Sequence, residues 1–236
     1  MTGYVLTEGI QMNYEFTHRP SYTHLIVQLQ AGESIRAEPG AMVGHSTTVS
    51  MQTESSGDGL LGSAKSMLGG ESAFVNQFTA EGGPGQVTFA PPSPGDVMSH
   101  ELQDETLYST DGAFLAGTQG VEIDSELGGI KSVIGEAGLT PLALNGSGTV
   151  FIDAFGGLEK LELEAGESYI LDNEHLIAWD DSIDYSTRSV SGLKSKMLGG
   201  EGLVFEFTGP GTAWYQSRDL SAFASFMSPH ISTGDS

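Results

Sequence analysis

The glycine run Gly57-Asp58-Gly59-Leu60-Leu61-Gly62 is the pattern in this chain that most resembles a cofactor site. In a dinucleotide-binding fold, a GxGxxG turn after a strand lets a pyrophosphate approach the N-terminus of a helix. Here a strand-like run, 47–53, precedes the glycines, but a short helical stretch follows them instead of a full crossover to a second strand. Asp58 would also place a negative charge where the phosphate must sit. We therefore interpret the run as a flexible turn and predict no nucleotide cofactor.

Other sequence patterns associated with catalysis or cofactor binding are incomplete in this chain. A P-loop would need lysine after Gly62, where Ser63 stands, and no serine has the GxSxG arrangement of a nucleophile elbow. The histidines form neither an HxH nor an HExxH pair, so a metal site would need histidines that only the fold brings together. The six histidines are His18, His24, His45, His100, His175 and His230.

Two acid pairs could in principle supply a general acid and a general base. They are Glu162 with Glu164, and Asp180 with Asp181. Because the chain has 31 carboxylates, solvated strand faces explain these pairs more simply.

A group of aromatic residues near the C-terminus could line a ligand pocket. It consists of Phe205, Phe207, Trp214 and Tyr215. Aromatic residues at strand spacing belong more often to a hydrophobic core. The sequence therefore gives no catalytic, cofactor-binding or metal-ligating residue, and we predict a protein that is not an enzyme.

The charge balance narrows the classes of partner. The 236 residues include 31 acidic and 9 basic side chains, a net charge of −22. Binding to nucleic acid depends on clustered Lys and Arg, which this chain lacks, so we expect no nucleic-acid partner. An acidic, solvated surface is typical of proteins from high-salt surroundings, where charge repulsion is screened, and it predicts a halophilic protein. The absence of cysteine excludes disulfides and thiolate metal sites.

Targeting signals are not apparent. The first ten residues have neither a basic n-region nor an apolar h-region, and no run of 18 apolar residues occurs. We expect a cytoplasmic protein without membrane insertion.

The chain repeats itself. The marker at 67–71, Met-Leu-Gly-Gly-Glu, recurs at 197–201, and a degenerate form occupies 131–136. Each marker precedes a strand-like run and then a tight glycine turn. The last glycines of these turns, Gly85, Gly148 and Gly211, are 63 residues apart in both intervals. Equal spacing of this kind indicates three copies of one unit.

A second marker agrees with the first. Ala-Gly-Glu-Ser at 31–34 returns at 165–168. An acid also stands nine residues after a leucine three times: Leu29 and Glu38, Leu102 and Asp111, Leu163 and Asp172. Together the two markers predict a single domain of three repeats, approximately 14–90, 95–152 and 157–217.

Hydrophobic residues within a repeat alternate with polar ones, as Leu203, Phe205 and Phe207 do, which indicates half-buried strands. Short stretches such as 60–68 and 190–198 have apolar residues at helical spacing. A further helix at about 221–228 carries Phe223 and Phe226 and precedes Pro229. We predict an all-β fold with a few short helices, in which three β-sandwich or barrel-like units are related by a pseudo-threefold axis.

Four motifs in order resemble the altered-inheritance-of-mitochondria-24 family across roughly 14–229. They are Ala-Gly-Glu-Ser at 31–34, Glu-Pro-Gly-Ala-Met at 38–42, Met-Leu-Gly-Gly-Glu-Ser-Ala-Phe at 67–74 and Gly-Pro-Gly-Thr-Ala-Trp-Tyr-Gln-Ser-Arg at 209–218. The resemblance implies a three-repeat double-stranded β-helix, grouped by shape with the tryptophan RNA-binding attenuation protein. It implies no reaction. A mitochondrial member is linked to inner-membrane organisation, but this chain shows no Arg-rich transit peptide, so we do not expect that role.

Function is the part that the sequence leaves open. The first hypothesis is a non-enzymatic structural or protein-interaction scaffold, whose partners are other proteins or copies of itself. The alternative is a small-ligand-binding module with a pocket between repeats. An enzyme of unrecognised type is the third reading.

Overall fold

Among the residues that the structure describes, the strands follow one another and one α-helix lies near the C-terminal end. The computed structural model describes residues 12–55, 74–110, 112–124, 141–189 and 203–231. Within these ranges β1 to β17 are Asn13–Thr17, His24–Leu29, Ser34–Ala37, Met42–His45, Ser50–Ser55, Phe74–Thr79, Gly85–Phe89, Gly95–Thr110, Phe114–Thr118, Val121–Asp124, Pro141–Phe155, Leu158–Leu163, Ser168–Asp172, Leu176–Asp180, Asp184–Ser189, Leu203–Thr208 and Gly211–Gln216. Helix α1 is Leu220–Met227, and 3₁₀ turns occupy Asn173–His175 and Ser228–His230. The fold is all-β, as predicted.

Alternation of polar and apolar residues accounts for the strands. In β2 the side chains of Leu25, Val27 and Leu29 are buried, while the residues between them are only partly covered. In β16, Phe205 and Phe207 are fully buried in the same way. Successive side chains of a strand point to opposite faces, so each strand gives one face to the core.

The strands form three sheets. One has four strands in the order β1-β2-β7-β4, and another has three in the order β13-β16-β15. The largest follows the order β12-β17-β14-β8-β11-β9-β3-β6-β5, with β10 paired to β11. The long strands β8 and β11 pair along most of their length and form the middle of this sheet.

The first and last thirds of the chain use the same order of pairing. In the first third, β2 and β4 flank β7, while β3 and β5 flank β6. In the last third, β12 and β14 flank β17, while β13 and β15 flank β16. The middle third does the same with fewer, longer strands: β8 and β9 flank the C-terminal half of β11, and β8 and β10 flank its N-terminal half.

The three glycines at 63-residue intervals lie where two strand segments meet. Gly85 begins β7 and Gly211 begins β17, whereas Gly148 follows a register shift between Gly146 and Ser147 inside β11. A Cβ at these positions would lie 2.6, 2.6 and 2.2 Å from the nearest side-chain atom, for Gly85, Gly211 and Gly148 respectively. The close approach of a neighbouring turn therefore explains why all three are glycine.

Buried hydrophobic residues gather into three clusters that follow the order of the chain. The first is built around Phe78 and Phe89, and the last around Trp179, Phe205 and Phe207. The second lies between β8, β11 and β14. Pairing of β3 with β9 and of β8 with β14 connects the thirds.

Several sequence features lie outside the described residues. These are the glycine run 57–62 with Ser63, the markers 67–71, 131–136 and 197–201, the helical stretches 60–68 and 190–198, and Asp111. The segment expected to form a helix at about 221–228 is α1, whose N-cap Asp219 accepts a hydrogen bond from the Ser221 N–H at 2.7 Å. In the described part of the chain, no helix is long and apolar enough to cross a membrane.

Candidate ligand-binding site

A cavity of about 350 Å³ lies between the middle and last thirds of the chain. Its walls come from the segment before β8, the end of β8, the turn before β9, the end of β11, the 3₁₀ turn and the start of β14, the end of β17, and α1. Apolar lining residues are Ala113, Phe155, Leu176, Ile177 and Leu220. Polar lining residues are Thr110, Asp153, Asn173, Glu174 and Gln216. Mostly apolar walls with a few polar groups are typical of small-molecule sites.

Asp153 is the buried acid of this cavity. It stands in β11 within the otherwise apolar run 150–155, and its backbone N–H donates to the Ala113 carbonyl at 2.9 Å. The residue is 4% exposed. Its Oδ1 atom is buried and has no hydrogen-bond partner among the described residues. A buried polar atom without a partner costs about 1–3 kcal/mol, so burial of this carboxyl reduces the stability of the folded protein.

The surroundings of Asp153 oppose its ionisation. Burial raises the pKa of the Asp153 carboxyl well above its ordinary value, and the negative charge of Glu38 raises it further. A cation placed in the cavity would reverse this effect, because an opposite charge favours the ionised carboxyl.

The opposite wall is held in place by backbone hydrogen bonds. Asp172 Oδ1 accepts from the Glu174 N–H at 3.0 Å and so caps the 3₁₀ turn. Gln216 bridges the two walls: its Nε2 donates to the Glu174 carbonyl at 3.0 Å, and its Oε1 accepts from the Phe155 N–H at 2.9 Å. The cavity is therefore shaped before any ligand enters.

The electrostatics of this wall are also negative. Burial raises the pKa of Glu174, and the charges of Asp219 and Asp172 add to that rise. The described lining residues include no Lys or Arg. An acidic cavity with apolar walls suits a ligand that has a cationic, hydrogen-bond-donating head and an apolar body.

The histidines do not converge on this cavity or on any metal site in the described part of the chain. No group of three or more His, Asp or Glu side chains there could hold a metal ion. The fold does bring His18 and His24 together, with ring centroids 5.2 Å apart. His175 Nδ1 lies 2.7 Å from the Gln216 carbonyl, and His100 Nε2 lies 3.2 Å from Glu105.

The acid pairs have other roles. Glu162 is exposed, and its Oε1 atom lies 2.5 Å from Nζ of Lys160. Asp180 holds the turn before β15, since its Oδ1 accepts from the Ile183 N–H at 3.1 Å and its Oδ2 from the Thr212 N–H at 2.7 Å. One carboxylate of each pair is therefore engaged in a contact outside the pair.

The aromatic group noted in the sequence lies mainly in the core. Phe205, Phe207 and Trp214 are buried in hydrophobic clusters, and Tyr215 packs against one of them. Sequence reasoning missed the buried acid instead. The available signal was Asp153 alone among Val, Phe, Ile, Ala and Phe in 150–155.

These features define a class by architecture: an all-β protein of repeated strand pairing with one acidic cavity in its described part. A family model described as "Mitochondrial biogenesis AIM24" matches residues 14–218. The chain belongs to this AIM24 family, which confirms the resemblance carried by the four motifs.

Two streptococcal proteins show how far the similarity extends. The uncharacterised protein M6_Spy0233 of Streptococcus pyogenes serotype M6 is 29% identical over 231 residues, covering 94% of this chain and 92% of that protein. The crystal structure of protein SPYM3_0169 from Streptococcus pyogenes has a TM-score of 0.78 at 30% identity, covering 94% of this chain and all of the other. The all-β fold is therefore shared by relatives of nearly the same length.

Proposed function

We propose that this protein is a ligand-binding module whose cavity takes a small organic cation. The observation that supports the proposal is the buried carboxyl of Asp153. The residue lines a mostly apolar cavity, and its Oδ1 atom has no hydrogen-bond partner among the described residues. An ammonium or guanidinium group would donate to this carboxylate and balance its charge. Both effects remove the cost of burying the carboxyl.

The walls specify the rest of the ligand. Phe155, Leu176 and Leu220 offer apolar contact to a hydrocarbon or aromatic body. Because Gln216 fixes both walls, binding needs little rearrangement, which favours affinity. A primary amine on a short aromatic or branched chain meets these requirements.

Calorimetric titration with phenethylamine tests the proposal, with 2-phenylethanol as a neutral probe of similar shape. We expect saturable binding of the amine at pH 7.5 in 2 M KCl and at least tenfold weaker binding of the alcohol. Because the cation favours the ionised carboxyl, the amine should also displace a proton from Asp153. The measured enthalpy should then change with the ionisation enthalpy of the buffer.

Asp153→Asn keeps the shape of the side chain and removes the charge. We expect it to weaken amine binding at least tenfold, whereas the exposed control Glu122→Gln on β10 should leave binding unchanged. Equal binding of amine and alcohol, or full amine binding by Asp153→Asn, would refute the organic-cation proposal.

We also propose that the protein is not an enzyme. The acids and histidines that the sequence offered for catalysis support this, because Asp180 and His175 make contacts to the backbone. In the described part of the chain, the Oδ1 atom of Asp153 has no hydrogen-bond partner, so no nucleophile or base lies beside that atom to complete an acid–base pair.

A protein-interaction scaffold is the second candidate function. It is favoured by two strand edges, β4 and β13, that carry exposed apolar side chains. Affinity capture from the native cell tests it, comparing the wild type with a variant in which Val43 and Ile170 are both replaced by lysine. Partners that are retained by the wild type and by the control Phe226→Lys, but lost from the edge variant, would support the scaffold; no such difference would count against it.

The finer architecture stays a proposal as well. We propose that the three thirds are copies of one unit, supported by the repeated order of pairing and by the three spaced glycines. The acidic composition, with a net charge of −22, further supports the proposal of a halophilic protein, and the cytoplasmic location stays a prediction from the sequence.

A further inference from the structure

Two junctions between the thirds use the same antiparallel pairing. At the first, β3 pairs with β9, and at the second, β8 pairs with β14. By its place in the order of pairing, β13 corresponds to β3 and to the C-terminal part of β8, and β4 corresponds to β9 and β14. The remaining junction would therefore join β13 to β4. Among the described strands, β13 pairs with β16 and β4 with β7, but the two do not pair with each other.

We call β9, β14 and β4 the receiving strands, and β3, β8 and β13 the donating strands. A β-bulge identifies equivalent residues on the three receiving strands. Val43 in β4, Leu115 in β9 and Ile177 in β14 each occupy the extra position of a register shift against the neighbouring strand. Leu115 and Ile177 are 0% and 2% exposed, whereas Val43 is 57% exposed. The same position is therefore covered at both formed junctions and open at the third.

The donating strands show the same contrast. In β3, Ile35 and Ala37 are fully buried, and in β8, Ser109 is fully buried. In β13, Tyr169 has the register position of Ile35 and is 42% exposed, and Ile170 beside it is 50% exposed. Leu171, at the position of Ala37, is 6% exposed. The open junction thus leaves apolar side chains uncovered on both of its strands.

Hydrogen bonds reinforce the two formed junctions at the C-terminal end of the donating strand. The Glu38 N–H, after β3, donates to the Leu115 carbonyl at 3.0 Å. At the second junction, the hydroxyl of Thr110, the last residue of β8, lies 3.3 Å from the Leu176 carbonyl and 3.4 Å from the Ile177 carbonyl. Both contacts therefore reach the bulge of the receiving strand.

We propose that β13 of one copy of this chain pairs antiparallel with β4 of a second copy. A second copy fits both open edges, because the chain itself contains the two kinds of strand that pair at the formed junctions. β13 is of the kind that covers β9 and β14, and β4 is of the kind that is covered. Unpaired edges with exposed apolar residues are the usual templates for such pairing. The contact is head-to-tail, so the assembly closes as a ring or continues as a chain. This inference deepens the scaffold proposal and does not depend on the cavity.

The charge on the protein sets the conditions for this assembly. Each copy carries a net charge of −22, which opposes association at low salt. The edge segments themselves, Met-Val-Gly-His and Ser-Tyr-Ile-Leu-Asp, carry only one acid between them. Screening at high salt therefore removes most of the opposition, and assembly should increase with KCl concentration.

Light scattering after size exclusion in 2 M KCl tests the inference. We expect wild-type protein to have at least twice the 24.8 kDa mass of one chain. Val43→Lys and Ile170→Lys should each greatly weaken assembly, because each places a charge in one edge. Both residues are exposed in the single copy, so folding should be retained and can be checked by circular dichroism. The control Phe226→Lys on α1 should keep the wild-type mass.

Mixing the two edge variants is the decisive measurement. Val43→Lys retains an intact β13 and Ile170→Lys an intact β4, so the mixture should form a 1:1 dimer that neither variant forms alone. A monomeric wild type, or an equimolar mixture that stays monomeric, would overturn pairing between copies. Such a result would leave the scaffold function to the capture experiment, where a heterologous partner would still be lost on edge substitution.

Discussion

Asp96 and Asp153 are both buried acids, yet their environments have opposite effects. Asp96 accepts two hydrogen bonds from Arg19 at 2.9 and 2.8 Å, one from Thr23 at 2.8 Å and one from the Val97 N–H at 2.9 Å. Burial acts to raise the pKa of Asp96, but these bonds outweigh it and the pKa is lowered. Asp153 has burial without such donors, and its pKa is raised. Asp96 fastens the N-terminal segment to β8, whereas Asp153 is suited to an external partner.

Without added amine, Asp153→Asn should be more stable than the wild type, and the difference should grow as pH rises. In the unfolded chain the Asp153 carboxyl ionises near pH 4, whereas its folded pKa is raised, so stability is lost as pH increases from about 4 towards the folded pKa. Asparagine removes that loss. We expect the variant to match wild type near pH 4 and to exceed it by about 1 kcal/mol or more at pH 8. Urea unfolding at constant KCl measures the difference.

Glu122→Gln serves as the control for this comparison, because it removes an exposed carboxylate from β10. Its stability should follow that of the wild type across the same pH range. A less stable Asp153→Asn protein at pH 8 would contradict the assignment of Asp153 as an uncompensated buried acid. A gain in stability together with loss of amine binding is the trade-off expected of a binding residue.

At the scale of elements, replacing any of the three spaced glycines should cost a similar amount of folding stability. Gly85→Ala, Gly148→Ala and Gly211→Ala each force a Cβ into a neighbouring side chain. Gly148 and Gly211 also have φ of +150° and +153°, which disfavours other residues. We expect each substitution to reduce the free energy of unfolding by about 1–3 kcal/mol.

The matched control for these substitutions is Gly157→Ala, where the nearest atom to the added Cβ, Ser217 Oγ, lies at an ordinary contact distance of 3.5 Å. It should change the free energy of unfolding by less than about 0.5 kcal/mol. Urea midpoints of the four variants give the comparison. Losses that differ widely among the three spaced glycines would argue against equivalent positions in three copies of one unit.

At the scale of the whole molecule, electrostatic repulsion should dominate the response to salt. The chain has 31 acidic side chains and 9 basic ones. Raising KCl from 0.1 M to 2 M shortens the Debye length from about 10 Å to about 2–3 Å, so repulsion between carboxylates falls. We expect the Tm to rise over this range, as followed by circular dichroism.

Salting-out also raises Tm, so a charge variant separates the two effects. Replacing the exposed residues Glu15, Glu122 and Glu159 by glutamine removes three negative charges and should reduce the slope of Tm against KCl. A flat or falling Tm in the wild type would show that the acidic surface is not under repulsive strain. An unchanged slope in the variant would assign the rise to salting-out.

Much of the architecture could be predicted because it depends on local periodicity. Alternation in 203–208 predicts a strand with Phe205 and Phe207 buried, and both are fully buried. The motifs of the family lie in fixed order along the chain, so membership was visible without coordinates and the family match confirms it. Composition likewise gave the acidic charge directly.

The cavity and the open edges were decided only by tertiary structure. Asp153 and Glu174 are 21 positions apart in sequence, and nothing local indicates that β11 and the 3₁₀ turn face each other across one space. Val43, Leu115 and Ile177 are all apolar residues in short strands, so their sequences do not reveal which is covered. Exposure depends on whether a strand from another third lies alongside, and that pairing is a long-range contact. Residue type and period thus determined the strands, whereas the meeting of distant strands determined the candidate site and the proposed interface.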